Sequence, residues 1–88
     1  MRVDQLLKRL YLIRTRTLAK KACDNDLVII NARKAKASSE VHAGDIIEFS
    51  FFNIHKKIRI LKLPWGNISR NRVSEYYQLL AAGDTVEK

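Results

Sequence analysis

The chain has 88 residues, 47% of them hydrophobic, and one cysteine, which suits a single small domain with one core. One cysteine excludes an intrachain disulfide framework and a cysteine-cluster zinc site. No apolar stretch approaches the roughly 18–20 residues that span a bilayer, and charged residues interrupt the N-terminal apolar pattern where a signal peptide needs a continuous one. The composition therefore predicts a cytoplasmic protein.

Positive charge is concentrated in the first part of the chain. Residues 1–36 contain 10 Lys and Arg against 3 Asp and Glu, a balance of +7, whereas residues 37–88 contain 7 against 6, a balance of +1. A localised positive field of this kind indicates an anionic polymer as the partner.

A first helix is predicted from apolar residues that recur at helical spacing and share one face. They are Val3, Leu6, Leu7, Leu10 and Ile13. Asp4 is expected on the opposite, solvent-facing side of the first turn, where the helix dipole favours an anion. The helix is expected to run to within a couple of residues of the next one.

A second helix is predicted to begin after Thr15, whose hydroxyl can accept a hydrogen bond from a free backbone N–H. Its apolar side is formed by Leu18, Ala19, Ala22 and Cys23, with Cys23 as a small core residue. The opposite side is basic and contains Arg16, Thr17, Lys20 and Lys21. Asn25 is expected to end the helix in the left-handed conformation.

Short strands follow. Residues 27–30 and 33–37 are predicted to form a hairpin around Asn31-Ala32, and residues 46–52 and 57–63 show strand-like alternation. A break at residues 64–67 precedes a C-terminal helix predicted from Val73, Tyr76, Tyr77 and Leu80, which Gly83 ends before a polar tail. The order predicts an α+β domain in which two packed N-terminal helices carry most of the positive charge.

Several residues have more than one interpretation. Trp65 is expected to cap the core after Pro64 or to stack on a nucleic-acid base, and Arg2 is either part of a basic patch or a frayed terminus. The basic stripe Lys56, Lys57, Arg59 and Lys62 is either a second binding surface or an edge strand kept soluble by its charge. His42 and His55 have no carboxylate or thiol partner at ligand spacing, so no metal or catalytic role is expected for them.

Five ordered segments of the chain, at 1–8, 14–20, 28–31, 35–39 and 41–45, resemble the RNA-binding domain first named from ribosomal protein S-four, also called the alpha-L motif. The resemblance covers roughly residues 1–52. The small size and the segment 75–80 are similar to stand-alone bacterial ribosome quality-control proteins of the RqcP type, relatives of heat-shock protein fifteen. The family implies two helices on a small bent antiparallel sheet. We expect an RNA-binding domain of this type over residues 1–63, with a loop, a C-terminal helix and a polar tail over 64–88 packed on it.

The resemblance also implies a function. Such proteins bind the large (50S) ribosomal subunit with its rRNA and peptidyl-tRNA, and support C-terminal alanine tailing of stalled nascent chains together with a tailing factor of the RqcH type. A ribosome-associated, cytoplasmic monomer without a cofactor or a membrane partner is expected. The alternative is a ribosome recycling or assembly factor of the heat-shock type.

For individual residues, the family implies that Arg2 and Arg16 contact ribosomal RNA. The remaining expected RNA-binding residues follow from weaker matches or from charge, and they are Arg9, Arg14, Thr17, Lys20, Lys21, Lys34 and Lys36. The chain departs from the family at Asn31-Ala32, where Asn-Gly is usual. Because a type I′ turn needs positive φ at both central residues, alanine there predicts a local change of turn type, which bears on the neighbouring Lys34.

A second departure is Leu10-Tyr11 in the first helix, where the family often carries a small polar residue and a basic residue. Arg9 and Arg14 are expected to offset the missing cation.

Two other classes of function are less favoured. The same domain often accompanies pseudouridine synthases and tRNA synthetases, but the chain has no carboxylate pair, no nucleophile beside a base and no glycine-rich phosphate loop, so no enzymatic activity is expected. A membrane-surface helix is also disfavoured, because the apolar stripe of the first helix is needed for the core.

Overall fold

The computed structural model describes residues 1–51 and 53–84, and in these residues two helices share one hydrophobic core with a five-stranded antiparallel sheet. The helices are α1 (Val3–Arg9) and α2 (Arg16–Asp24). The strands are β1 (Val28–Ile30), β2 (Arg33–Lys34), β3 (Ile46–Phe51), β4 (Ile54–Ile60) and β5 (Tyr77–Asp84), with a 3₁₀ helix at Arg70–Glu75. The predicted α+β class is confirmed. Phe52 and the polar tail at 85–88 lie outside the described residues.

Helix α1 is shorter than its apolar stripe. It ends at Arg9, and Tyr11 then adopts a left-handed conformation with φ of 59°. The backbone N–H groups of both Leu12 and Ile13 donate to the Leu7 carbonyl, so the chain folds back and still buries Ile13. The expected connection of a couple of residues is therefore wrong: residues 10–15 join the helices. The apolar stripe still predicted the burial of Ile13 correctly. The tight reversal after Arg9 places Ile13 in the core, where a further turn of helix would also have placed it.

Helix α2 begins as predicted. The Leu18 N–H donates to Thr15 Oγ1 at 3.1 Å, and Ala19 and Cys23 lie in the core. The left-handed residue is Asp26, with φ of 60°, and not Asn25. Asn25 keeps a negative φ because its side-chain amide donates to the Lys21 carbonyl, so the predicted residue caps the last turn by its side chain and the chain reverses one residue later.

The sheet has the order β2-β1-β3-β4-β5 with antiparallel pairing throughout. The predicted alternation in β3 and β4 places Ile47, Phe49, Ile58 and Ile60 in the core. In the register of β3 and β4, Ile47 lies opposite Ile58, so these two apolar side chains share one face of the sheet.

The predicted C-terminal helix is wrong. Tyr77–Asp84 is strand β5, which runs antiparallel to β4 with Ile60 opposite Tyr77, and Val73 lies in the 3₁₀ helix. Leucine and alanine favour a helix locally, but β4 would otherwise present a row of unpaired N–H and C=O groups. Pairing with β5 satisfies these groups, and this tertiary gain outweighs the weak local preference.

The hairpin turn keeps the geometry that the family's Asn-Gly would provide. Asn31 has φ of 50° and Ala32 has φ of 70°, so the predicted change of turn type is wrong. The Asn31 amide donates to Asp45 Oδ1 at 3.0 Å, and its oxygen accepts from the Ile46 N–H at 2.9 Å. These bonds hold the turn against the start of β3, which forces Ala32 into a conformation that L-residues disfavour.

Ala32→Gly is expected to raise the free energy of unfolding by about 0.5–1 kcal/mol, because glycine adopts positive φ without steric cost. Glycine also makes the unfolded chain more flexible, which offsets only part of this stabilisation. Urea denaturation measures the change. Ala43→Gly is the control, since Ala43 is also exposed in a turn but does not have a positive φ. It is expected to be neutral or destabilising. Equal effects of the two substitutions would contradict the strain at Ala32.

Cys23 is the buried thiol that the sequence predicted. Burial raises the pKa of the Cys23 thiol to about 11, with smaller contributions from the carboxylates of Asp4 and Asp24. Because only the thiolate reacts, alkylation at pH 8 is expected to be about two orders of magnitude slower in the folded protein than in urea. Mass spectrometry of timed iodoacetamide reactions measures this ratio, and rapid native labelling would contradict the burial.

Within the part of the chain described here, no helix is long and apolar enough to cross a membrane.

Candidate RNA-binding surface

Two arginines meet on one buried carboxylate. Arg2 precedes α1, Arg16 is the first residue of α2, and Asp4 lies between them in the first turn of α1. Asp4 Oδ2 accepts a hydrogen bond from Arg2 Nη2 at 3.2 Å and lies 3.3 Å from Arg16 Nε. The Asp4 side chain is 3% exposed, whereas those of Arg2 and Arg16 are 43% and 50% exposed. Asp4 thus orients both guanidinium groups while about half of each stays in solvent. We call Arg2 and Arg16 the arginine pair.

The chain around Arg2 is held in place on both sides. The Val3 N–H donates to the Ser39 carbonyl at 2.9 Å, and the Val41 N–H donates to the Met1 carbonyl at 2.8 Å. The N-terminal ammonium lies 2.9 Å from Glu40 Oε1, and its hydrogen bond and charge lower the pKa of the Glu40 carboxyl. The interpretation of Arg2 as part of a frayed terminus is therefore wrong, and its guanidinium starts from an anchored backbone.

A groove of about 520 Å³ runs between α2 and the segment that follows β2. Four cations line this basic groove, and all four are among the sequence-predicted residues: Arg2, Lys20, Lys34 and Lys36. Two carboxylates also line it. Asp24 lies 2.9 Å from Lys20 Nζ, and Asp26 lies 3.6 Å from Lys34 Nζ. Exposed ion pairs of this kind contribute little to stability, so a phosphate can compete for these lysines at small cost.

A second groove, of about 230 Å³, lies between α1 and the loop after Pro64. We call it the loop groove, and it is lined by Gln5, Lys8, Arg9, Tyr11, Arg16, Gly66, Asn67 and Ile68. The Arg9 guanidinium donates to the Gly66 carbonyl, and the Tyr11 hydroxyl donates to the Ile68 carbonyl at 2.5 Å. Arg2 lines the basic groove and Arg16 lines the loop groove, and both contact Asp4. The arginine pair therefore lies between the two grooves.

The other predicted RNA-binding residues, Arg9, Arg14, Thr17 and Lys21, do not line the basic groove. Arg9 holds the loop, and Thr17 is exposed beside Arg16 in the first turn of α2. Lys21 is exposed on α2 but lines neither the basic groove nor the loop groove. Arg14 lies with Lys56 at an apolar groove formed by Leu12, Ile13, Leu18, Phe49, Phe51 and Ile54. The structure therefore brings together the arginine pair and three of the lysines, and leaves Arg14 and Lys21 apart.

Sequence reasoning missed the burial of Asp4 and the hydrogen bonds that hold the loop after Pro64 against the end of α1. Asp4 was expected on a solvent face as a partner of the helix dipole, and that expectation is wrong because its side chain is buried between two arginines. A lone acidic residue within a strongly basic segment was the available signal. The hydrogen bonds of the loop could not be predicted in this way, because Gly66 and Ile68 contribute backbone carbonyls, which carry no sequence signature.

The structure excludes one of the two interpretations given for the basic stripe at 56–62 and one of the two given for Trp65. Strand β4 pairs on both sides, so the explanation of its cations as an edge-strand device is wrong. Trp65 is 67% exposed, so it does not cap the core.

Both histidines do lie near a carboxylate. His55 Nε2 lies 2.6 Å from Glu48 Oε2 across β3 and β4, and His42 Nδ1 lies 3.8 Å from Asp45 Oδ2. No group of three metal-ligating side chains occurs among the described residues.

Comparisons with known proteins identify similar sequences and a similar fold. The model of the S4 domain matches residues 1–47. The "RQC P-site tRNA stabilizing factor" of Helicobacter pylori is 38% identical over 64 residues, which are 73% of this chain and 76% of that protein. The protein of the same name from Bacillus subtilis is 47% identical over 51 residues, 58% of this chain and 59% of its own. The trimeric structure of Vibrio cholerae Heat Shock Protein 15 superposes with a TM-score of 0.84 at 26% identity, covering 92% of this chain and 82% of that one.

Proposed function

Because the chain belongs to the S4 domain family, we propose that it is a non-enzymatic RNA-binding factor of ribosome-associated quality control. The observation that carries the proposal is the arginine pair, two half-exposed guanidinium groups held side by side on a buried carboxylate. A guanidinium offers parallel N–H donors that match a phosphate, and a pre-oriented pair loses less side-chain entropy on binding. Phosphate groups of an RNA strand are therefore the ligands proposed for the arginine pair.

In the finer form of the proposal, the arginine pair and the basic groove bind rRNA of the large (50S) subunit. The protein then holds peptidyl-tRNA in the P site and supports C-terminal alanine tailing with a factor of the RqcH type. The name shared by the Helicobacter and Bacillus relatives supports the part of this proposal that concerns tRNA in the P site. We propose that it acts as a monomer, with RNA contacts at Arg2, Arg16, Thr17, Lys20, Lys34 and Lys36, and with lesser electrostatic contributions from Arg9, Arg14 and Lys21.

Co-sedimentation with purified 50S particles tests the proposal. Particles that carry peptidyl-tRNA are expected to retain more protein than vacant particles, and the retained fraction is expected to fall steeply as salt rises, because phosphate contacts release counterions. The absence of binding at low salt, or binding that is independent of salt, would contradict the RNA-binding role.

The second candidate is a ribosome recycling or assembly factor. The superposition on the Vibrio heat-shock protein favours it, since the match extends over most of both chains. An alanine-tailing assay with stalled 50S particles separates the two candidates. Tailing that increases when the protein is added supports quality control, whereas unchanged tailing with normal 50S binding supports recycling or assembly.

A further inference from the structure

Trp65 is large, apolar and two-thirds exposed, yet the loop that carries it is anchored at several points. Pro64 before it is fully buried, and the Trp65 N–H donates to the Leu63 carbonyl at 3.0 Å. Gly66 and Ile68 after it accept hydrogen bonds from side chains at the end of α1. An indole held in solvent by a fixed backbone forgoes the stabilisation of burial and is free to contact a partner.

We propose that Trp65 stacks on an unpaired base of the bound RNA, whose backbone runs through the loop groove. This inference rests on the proposed RNA-binding function and extends its surface from the arginine pair to the loop after Pro64. Aromatic side chains stack on bases of any identity, so the expected partner is an unpaired nucleotide and not a defined sequence.

The charge around the loop favours RNA as the partner. The residues that line the loop groove include three cations, Lys8, Arg9 and Arg16, and no carboxylate, as far as the described residues show. Arg70 lies on the same side, with its guanidinium carbon 4.7 Å from the centre of the Tyr11 ring. A polyanion with flat apolar bases matches both the cations and the indole, whereas an apolar peptide matches only the indole.

The position of Arg16 supports a continuous RNA-binding surface from the arginine pair to the loop after Pro64. Arg16 belongs to the arginine pair through Asp4 and also lines the loop groove beside Gly66, the residue after Trp65. A strand whose phosphate lies on Arg16 therefore lies at the loop groove, and Trp65 is an exposed aromatic side chain next in sequence to Gly66, which lines that groove.

Intrinsic fluorescence tests the inference directly, because Trp65 is the single tryptophan of the chain. The probes are a stem-loop RNA with unpaired adenines and a blunt duplex made from the same stem, with binding followed separately by the anisotropy of a dye on the RNA. The stem-loop is expected to quench the tryptophan emission at saturation. Trp65→Ala is expected to weaken stem-loop binding by about 5- to 100-fold, while Trp65→Phe keeps most of the affinity.

Leu79→Ala is the matched control, since Leu79 is another exposed apolar residue, on β5. This variant is expected to bind the stem-loop with the affinity of the wild type. Stem-loop binding without any change in emission would overturn the stacking inference and leave the proposed function intact. Equal quenching by the duplex, or an unchanged affinity in Trp65→Ala, would also overturn it. If anisotropy shows no binding of either RNA, both the inference and the proposed function fail.

Discussion

Arg16→Ala is expected to weaken binding to 50S particles and to RNA by about 10- to 100-fold. The substitution removes a charge-assisted hydrogen-bonding group whose contribution is about 1.5–3 kcal/mol. Arg2→Ala is expected to have a similar effect, because both guanidinium groups lie on Asp4 and face solvent to a similar extent. Filter binding or anisotropy across a salt series measures both the affinity and its salt dependence.

The salt dependence separates a phosphate contact from an indirect effect. Loss of one phosphate contact is expected to reduce the slope of log affinity against log salt by about 0.7–0.9. Arg16→Lys keeps the charge but not the planar fork of donors, so it is expected to keep the slope and lose part of the affinity.

Arg72→Ala is the matched control for the arginine pair. Arg72 is also about half exposed and also bonded to a carboxylate, Glu75 at 3.1 Å, but it lies in the 3₁₀ helix. Its removal is expected to change the affinity by less than about threefold. If Arg72→Ala weakens binding as strongly as Arg16→Ala does, the RNA responds to net charge alone and the arginine pair has no special role.

Asp4→Asn is expected to reduce both stability and RNA affinity, although it makes the protein more positive. The carboxylate is buried with two guanidinium groups on one oxygen, and its loss is expected to lower the free energy of unfolding by about 1–3 kcal/mol. Urea denaturation measures this change, and anisotropy at constant salt measures the affinity.

Two opposing effects of Asp4→Asn determine whether the RNA affinity rises or falls. Removing the carboxylate removes its repulsion of a phosphate about 8 Å away, which is roughly 0.5 kcal/mol in water and less in salt. It also releases Arg2 and Arg16, each of which must then be ordered on binding at a cost of about 0.5–1.5 kcal/mol. The second effect is the larger, so a net loss of about 2- to 70-fold is expected.

Asp24→Asn is the control for charge. Asp24 is an exposed carboxylate that pairs with Lys20 on the basic groove, and removing it changes the net charge by the same amount without disturbing the arginine pair. It is expected to bind RNA as well as the wild type or slightly more tightly. If Asp4→Asn also binds more tightly, Asp4 does not pre-orient the arginines for RNA.

The sequence alone determined the features that depend on neighbours along the chain. The apolar stripe over residues 3–13 and the alternation in β3 and β4 were predicted correctly, because each is a local pattern imposed by a repeat of 3.6 or 2 residues. The threonine cap of α2 was also predicted correctly, because a cap depends on residues adjacent in the chain. The concentration of positive charge in residues 1–36 was also read directly from the sequence, whereas Arg2 and Arg16 as candidate contacts came from the resemblance to the RNA-binding domain family.

Only the tertiary structure decided the features that depend on residues far apart in the chain. Tyr77–Asp84 became a strand because the open edge of β4 needed partners, although its leucines and alanines favour a helix. Asp4 became the buried anchor of Arg2 and Arg16 because α2 folds back beside the start of α1. The loop after Pro64 joined the site through backbone carbonyls. Long-range pairing and burial outweigh local preference at these places, and neither is visible in a single stretch of sequence.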